Sequence, residues 1–494
     1  MSLRLGVIRG ALSLGSARIV ASVLNALGIL VLARLLTPED FGIVAIATAV
    51  VTVAASLTEA SLQPALVQNR NPDRVLVDTV WTMSAIRAVL VYGGVALAAW
   101  PLALAYGDER LFAVLLVAGL SGAFTDFFNP MLTLATRDMR FGPLVIFQVA
   151  QKACGLLLAI VLAFAWGNFW AIVVGNAIGI VLAALASYFL IPYFPALTLR
   201  RAREVWDFSG WMFLNQLCET VNWRFDQLAI GLYATKAQLG FYAMADNLAV
   251  IPSRELSLPL RNALFPGFSS LGEDRERLRK AYMEAQTGVA MLTAPAAIGL
   301  SLLAVPAVAV LLGEKWLVTA PIVQLLCLTY AFDTFITAVR PLGMAMGETK
   351  YLFLRQLAAL FARIPLILLG FIAGGLVGAA AGRAASSLVN ALISMMVVRK
   401  LLGVPLGKQL RVHMPTIASL GVMAIAVLGA WSITGLEGSL IQLLVLAPLG
   451  ALAYAVSHWA IWLQSGRGEG AFLEMVRLAA RMPGCGGLQR LAGA

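Results

Sequence analysis

Apolar residues run along most of this chain in blocks of about twenty or more, separated by short polar breaks. A helix needs that length to cross the hydrocarbon of a bilayer, so the pattern predicts about fourteen transmembrane helices. They fall near 12–34, 41–63, 79–105, 111–134, 143–166, 169–191, 207–233, 238–262, 284–312, 319–345, 351–373, 376–398, 413–434 and 439–463. The connections are too short for a folded domain outside the membrane. Several spans carry polar residues at helical spacing, so that one face collects them. Arg18, Ser22 and Asn25 share a face of the first span, and Thr48, Thr52 and Glu59 one of the second. Asn215, Glu219, Asn222 and Asp226 share a face of the seventh, with Arg224 roughly opposite. Asp246, Asn247 and Arg254 lie in the eighth, and Asp333, Thr337 and Arg340 line the tenth. Arg383, Ser387, Asn390 and Ser394 line the twelfth. The last two spans hold no Asp, Glu, Lys or Arg and read as lipid-facing or accessory.

Composition narrows the class. The chain has 494 residues, 60% hydrophobic and only 12% charged, where a soluble domain is nearer a quarter charged. This is an all-α membrane protein. Its net charge of +11 is explained by topology, not by nucleic acid. Loops on one side hold Arg70, Arg74, Arg137, Arg140, Arg200, Arg201, Arg203, Arg275, Arg277, Arg279, Lys280, Lys350, Arg399, Lys400, Lys408 and Arg411, whereas the other side holds Arg34, Arg110, Lys236 and Lys315. The positive-inside rule places the first side, with both termini, in the cytoplasm. Cysteines 154, 218, 327 and 485 lack metal or redox spacing, and His413 and His458 are the only histidines, so no metal or cofactor is expected. The apolar run after Arg4 and Arg9 imitates a signal peptide but reads as a retained span. Residues 466–494 read as a basic amphipathic tail on the inner membrane surface, frayed at its Gly-rich end.

The chain also repeats. Leu36-Thr-Pro-Glu-Asp-Phe-Gly-Ile-Val-Ala45 resembles Ala234-Thr-Lys-Ala-Gln-Leu-Gly-Phe-Tyr-Ala243. Leu134-Ala-Thr-Arg-Asp-Met-Arg-Phe141 resembles Met344-Ala-Met-Gly-Glu-Thr-Lys-Tyr351, and Gly175-Asn176 aligns loosely with Gly382-Arg383. An even number of spans separates the copies, so the repeat is parallel. The expectation is two pseudo-symmetric six-helix lobes, 1–200 and 201–400, around a central cavity, with two extra C-terminal helices in 401–465.

Within the spans or at their ends lie Arg18, Arg87, Lys152, Arg224, Arg254, Arg261, Arg340, Arg355, Arg363 and Arg383, against Glu59, Asp126, Glu219, Asp226, Asp246, Glu255 and Asp333. A lone charge facing lipid costs roughly 2.5–3.5 kcal/mol on insertion scales, so these groups must face one another, headgroups or a watery cavity. The interior is net basic, which suits an anionic substrate. Arginine fits phosphate, because its planar fork stays charged and binds two oxygens at once. The candidates for substrate contact are Arg18, Arg87, Arg224, Arg254, Arg340, Arg355, Arg363, Arg383, Asn25, Asn215 and Asn222. Glu59, Glu219, Asp226, Asp246 and Asp333 are candidates for ion coupling. Each stripe has a plainer reading, since polar side chains also hold membrane helices together.

The segment Leu32-Ala-Arg-Leu-Leu-Thr-Pro-Glu-Asp-Phe-Gly-Ile-Val-Ala45 resembles the start of bacterial oligosaccharide flippases, the polysaccharide transporter family. Leu312-Gly-Glu-Lys-Trp316 resembles that family's motif before span 10. The family belongs to the multidrug/oligosaccharidyl-lipid/polysaccharide exporter superfamily. The resemblance implies a multi-pass protein of the bacterial inner membrane. It implies translocation of undecaprenyl-pyrophosphate-linked oligosaccharide to the periplasmic leaflet by alternating access, for O-antigen, capsule or exopolysaccharide assembly. Implied partners are that lipid-linked oligosaccharide, membrane lipids and a polysaccharide polymerase or ligase complex.

Two alternatives share the superfamily: a multidrug or cation antiporter, and a peptidoglycan-precursor flippase. The antiporter would favour an acidic, aromatic-lined cavity, whereas this interior is net basic. An enzyme such as a membrane polymerase would carry catalytic groups on a large outer loop, which this chain lacks, and no Gly-x-x-x-x-Gly-Lys nucleotide loop is present.

Overall fold

The computed structural model describes residues 20–57, 66, 72–137, 142–203, 210–272 and 274–464, and these form helices and turns without a strand. The helices are α1 (20–35), α2 (Pro38–Ser56), α3 (Arg74–Ala105), α4 (Arg110–Phe124), α5 (Met131–Arg137), α6 (Gly142–Trp166), α7 (Trp170–Leu190) and α8 (Gly210–Tyr233). They continue as α9 (Lys236–Ser269), α10 (Arg275–Leu302), α11 (Ala304–Leu311), α12 (Ala320–Thr334), α13 (Val339–Ala345), α14 (Thr349–Leu402), α15 (Leu406–Thr434) and α16 (Ser439–Gln464). The chain divides into two compact units, Met1–Met244 and Ala245–Ala494, and the division falls inside α9.

Among the described residues, ten helical segments are long and apolar enough to span a bilayer by length and composition. The other expected spans fall on three kinds of element. The first is α1, whose described part is short. The second is α8 and α9, which carry the charges of the seventh and eighth spans. The third is α14, which runs 54 residues but leaves helical geometry at Gly374 and Gly375. Gly375 has φ 57°, which only glycine adopts cheaply. There α14 folds back, and glycines let its two arms touch: a Cβ on Gly370 would overlap the Gly378 carbonyl, and one on Gly382 the Leu366 carbonyl. In unit 1 the same device joins α6 to α7, where Gly175 packs on Ala159 and Gly179 on Gly155. Gly175 and Gly382, the third pair of the repeat, thus both sit at a close helix crossing.

Two expected spans are broken. The fourth ends as α4, passes through a 3-10 turn at Thr125–Phe127 and resumes as α5. The tenth ends as α12 and resumes as α13. Broken backbone inside a membrane frees N–H and C=O groups that must find partners. At the first break, Asn129 Nδ2 donates to the carbonyls of Ser187 (3.2 Å) and Ile191 (2.7 Å), and its Oδ1 accepts from Met131 N–H at 2.9 Å. At the second, the buried amide of Gln286, on α10, fills the gap. Its Nε2 donates to Thr334 O at 2.7 Å and its Oε1 accepts from Ala338 N–H at 2.8 Å.

The Leu36 and Ala234 segments of the repeat cap α2 and α9 in the same way. Thr37 N–H donates to Asp40 Oδ2 at 2.9 Å, while Asp40 N–H donates to Thr37 Oγ1 at 3.3 Å. Thr235 N–H donates to Gln238 Oε1 at 3.0 Å, while Gln238 N–H donates to Thr235 Oγ1 at 3.2 Å. Both are capping boxes. Five residues after each capping threonine, the glycines meet reciprocally. A Cβ on Gly42 would overlap the Lys236 carbonyl oxygen, and a Cβ on Gly240 the Pro38 carbonyl oxygen.

Candidate functional site

Unit 2 gathers most of its buried charge in one cluster. Asp246 comes from α9, Tyr330 and Asp333 from α12, and Arg355, Arg363, Arg383, Ser387 and Ser394 from the two arms of α14. Arg383 is only 1% exposed. Its Nη1 lies 2.9 Å from Asp246 Oδ1, and its Nη2 donates to Tyr330 Oη at 2.9 Å. Tyr330 in turn donates to Asp246 Oδ1 at 2.6 Å, closing a three-membered ring of contacts. Arg383 also stacks 5.4 Å above the Tyr330 ring. Asp333 bonds Ser387 and lies in the field of Arg363, Arg383 and Arg355. Arg355 Nη1 donates to Ser394 Oγ at 3.2 Å. Arg363 Nε is buried without a hydrogen bond among the described residues. Three guanidinium groups therefore share two carboxylates, and the cluster is net positive even with both acids ionised.

Unit 1 carries further charges on α3, α4's 3-10 extension and α8. Arg87 Nη1 meets Asp126 Oδ1 at 2.5 Å beside the first break, and its Nη2 donates to Ala55 O at 3.2 Å. Asp226, fully buried, accepts from Tyr242 Oη at 2.8 Å. Arg224 Nη1 donates to Gln227 Oε1 at 3.1 Å, and Asn222 is buried nearby on α8. Glu219 is half-buried. On the face the charge asymmetry assigns to the outside, Arg110 bridges Glu39 (2.6 Å) and Asp108 (2.9 Å). Partial burial alone would raise the Asp108 pKa, but two hydrogen bonds from Arg110 outweigh it and hold the carboxyl below its ordinary value. Lys236 Nζ donates to Tyr106 O at 2.7 Å.

The remaining candidates lie elsewhere. Arg18 and Glu59 lie outside the described residues, as does the side chain of Asn215. Asn25 and Arg254 are exposed, and Arg340 is half-buried just past the second break. Sequence reasoning missed Tyr330, although it sits one helical turn before Asp333. It also missed Asp78, because the third span was started at residue 79, whereas α3 begins at Arg74. Among the described residues no group of His, Cys, Asp and Glu could hold a metal ion.

Residues 31–321, more than half of the chain, match the family described as polysaccharide biosynthesis protein. The chain belongs to this family. It is 27% identical to the succinoglycan biosynthesis transport protein ExoT of Rhizobium meliloti (strain 1021), over 70% of this chain and 71% of that one. It is 22% identical to the lipopolysaccharide biosynthesis protein WzxC of Escherichia coli (strain K12), over 75% and 76% of the two chains. Among solved structures, the Lipid II flippase MurJ in an inward closed conformation matches with TM-score 0.73 at 16% identity, covering 91% of this chain and 99% of that one. An inward-facing MATE family transporter of the MOP superfamily matches with TM-score 0.63 at 14% identity, covering 78% and 94%. At those identities the likeness shows the fold. Family and relatives together make this a multi-span membrane transport protein of polysaccharide biosynthesis, not an enzyme.

Proposed function

We propose that this chain flips undecaprenyl-pyrophosphate-linked oligosaccharide from the cytoplasmic to the periplasmic leaflet of the bacterial inner membrane, with both termini in the cytoplasm. The observation that carries this reading is the excess of arginine over carboxylate inside unit 2, where Arg355, Arg363 and Arg383 face Asp246 and Asp333. A pyrophosphate supplies the missing negative charge, and guanidinium forks suit its oxygens. Arg363, with its unbonded Nε, is the leading contact. Arg383 is already engaged by Asp246 and Tyr330, so it organises the cluster. The same pairing favours a counter-ion role for Asp246 over an ion-coupling role.

Movement would follow alternating access. The reciprocal contact of Gly42 and Gly240 is the natural closure on the outer side, because the two backbones meet there with no Cβ between them. The Arg110 bridge and the Lys236–Tyr106 contact brace the same end.

The test is flipping in proteoliposomes of a fluorescent undecaprenyl-pyrophosphate oligosaccharide with an external quencher. Wild type should transport, and Arg363→Ala should lose at least about tenfold in rate with its fold intact, the equivalent of about 1.4 kcal/mol. No transport by wild type, with transport of a cationic drug instead, would overturn the reading.

A further inference from the structure

Between α7 and residue 199 the chain runs without a helix along one end of α3. It is fastened there at nearly every polar opportunity. Asp78, buried on α3, accepts from Tyr193 Oη at 2.5 Å and from Ala196 N–H at 3.2 Å. Thr82 Oγ1 accepts from Thr198 N–H at 3.1 Å. Arg74 Nη2 donates to Phe194 O at 3.3 Å, and Arg201 pairs with Asp73 at 3.1 Å. These bonds fix the backbone of the strap, and so fix which side chains point away from the protein.

Those side chains are large and apolar. Phe194 is 82% exposed and Leu197 81%. A strap in water would gain nothing by holding them outward, since each forgoes burial worth about 1.5–3 kcal/mol. The strap also extends an apolar face. Leu182, Leu185 and Phe189 stand exposed on α7 at helical spacing, on the surface that a membrane helix turns to lipid. Immediately after the strap come Arg200, Arg201 and Arg203, with Arg74 beside it, and all lie on the basic side.

We propose that residues 191–203 form a lipid-binding surface at the cytoplasmic boundary of the bilayer. Phe194 and Leu197 enter the acyl edge, while Arg200 and Arg203 engage the phosphates of anionic phospholipid. The strap would hold α3 at a fixed depth. This surface rests on the membrane fold and not on the transported substrate, so it stands or falls apart from the flippase reading.

The experiment places a nitroxide on Leu197→Cys in the full chain with its native cysteines replaced, reconstituted in bilayers with and without phosphatidylglycerol. Arg277→Cys, exposed on a basic turn, serves as the aqueous control. Collision with oxygen relative to a water-soluble nickel complex should be several-fold higher at Leu197 than at Arg277, and higher with phosphatidylglycerol than without. Arg200→Gln with Arg203→Gln should remove only the dependence on phosphatidylglycerol. An aqueous ratio at Leu197 in both bilayers would overturn the proposal. A lipid ratio indifferent to phosphatidylglycerol and to both arginines would overturn its anionic half. Because Leu197, Arg200 and Arg203 are exposed, elution as a monodisperse species is expected of each variant.

Discussion

The two broken helices, one in each unit, solve one problem in different surroundings. Each interrupts helical geometry, and each needs partners for backbone groups that lipid cannot satisfy. Unit 1 uses Asn129 within the break itself, with the Arg87–Asp126 ion pair beside it. Unit 2 uses Gln286 from a neighbouring helix, whose amide bonds both freed backbone groups. Both plugs are neutral amides, but unit 1 adds an ion pair beside its break, whereas in unit 2 the charges, Asp333 among them, gather in the arginine cluster.

The comparison can be broken at four points. Gln286→Leu should be the most damaging, because it orphans two buried backbone groups at about 1–3 kcal/mol each. Thermal unfolding in detergent would read it, and no change at a second side chain should rescue it, since both partners are backbone. Arg87→Met should cost about 2–4 kcal/mol by stranding Asp126, and Asp126→Leu in the same chain should restore much of it. That rescue would separate an ionic brace from an amide plug, and equal rescue at both sites would erase the distinction. Tyr330→Phe removes one donor to Asp246 and one acceptor for Arg383 and should cost about 1–2 kcal/mol, with the fold retained. Glu39→Gln should have the smallest effect, at most about 1 kcal/mol and weaker in high salt, because its pair with Arg110 is half exposed.

Much of this was legible in the sequence. Long apolar blocks fixed the helices, because a bilayer imposes one length on them. The Leu36 and Ala234 segments resemble each other in sequence, and the structure gives residues they share the same task in each. Thr37 and Thr235 cap, and Gly42 and Gly240 touch. Arg383 with Ser387 was readable as a stripe from helical spacing alone, whereas the stripe of Asp333, Thr337 and Arg340 is interrupted where α12 ends at Thr334 and α13 begins at Val339. The pairing of Arg383 with Asp246 was not readable, because it joins elements more than a hundred residues apart. The breaks were also hidden. Asn129 and Gln286 look like ordinary polar residues in apolar surroundings, and hydropathy averages across a gap of three or four residues. The strap escaped notice because its hold on α3 depends on Asp78, one residue outside the span that hydropathy drew.

The central claim is that the interior recognises the negative charge of a lipid-linked sugar. The most direct measurement compares two fluorescent oligosaccharide lipids in the same proteoliposomes. One is joined through pyrophosphate, the other through a neutral linker of equal length. The account predicts transport of the first and little of the second, with Arg363→Ala erasing the difference. Equal transport of both by wild type would contradict it.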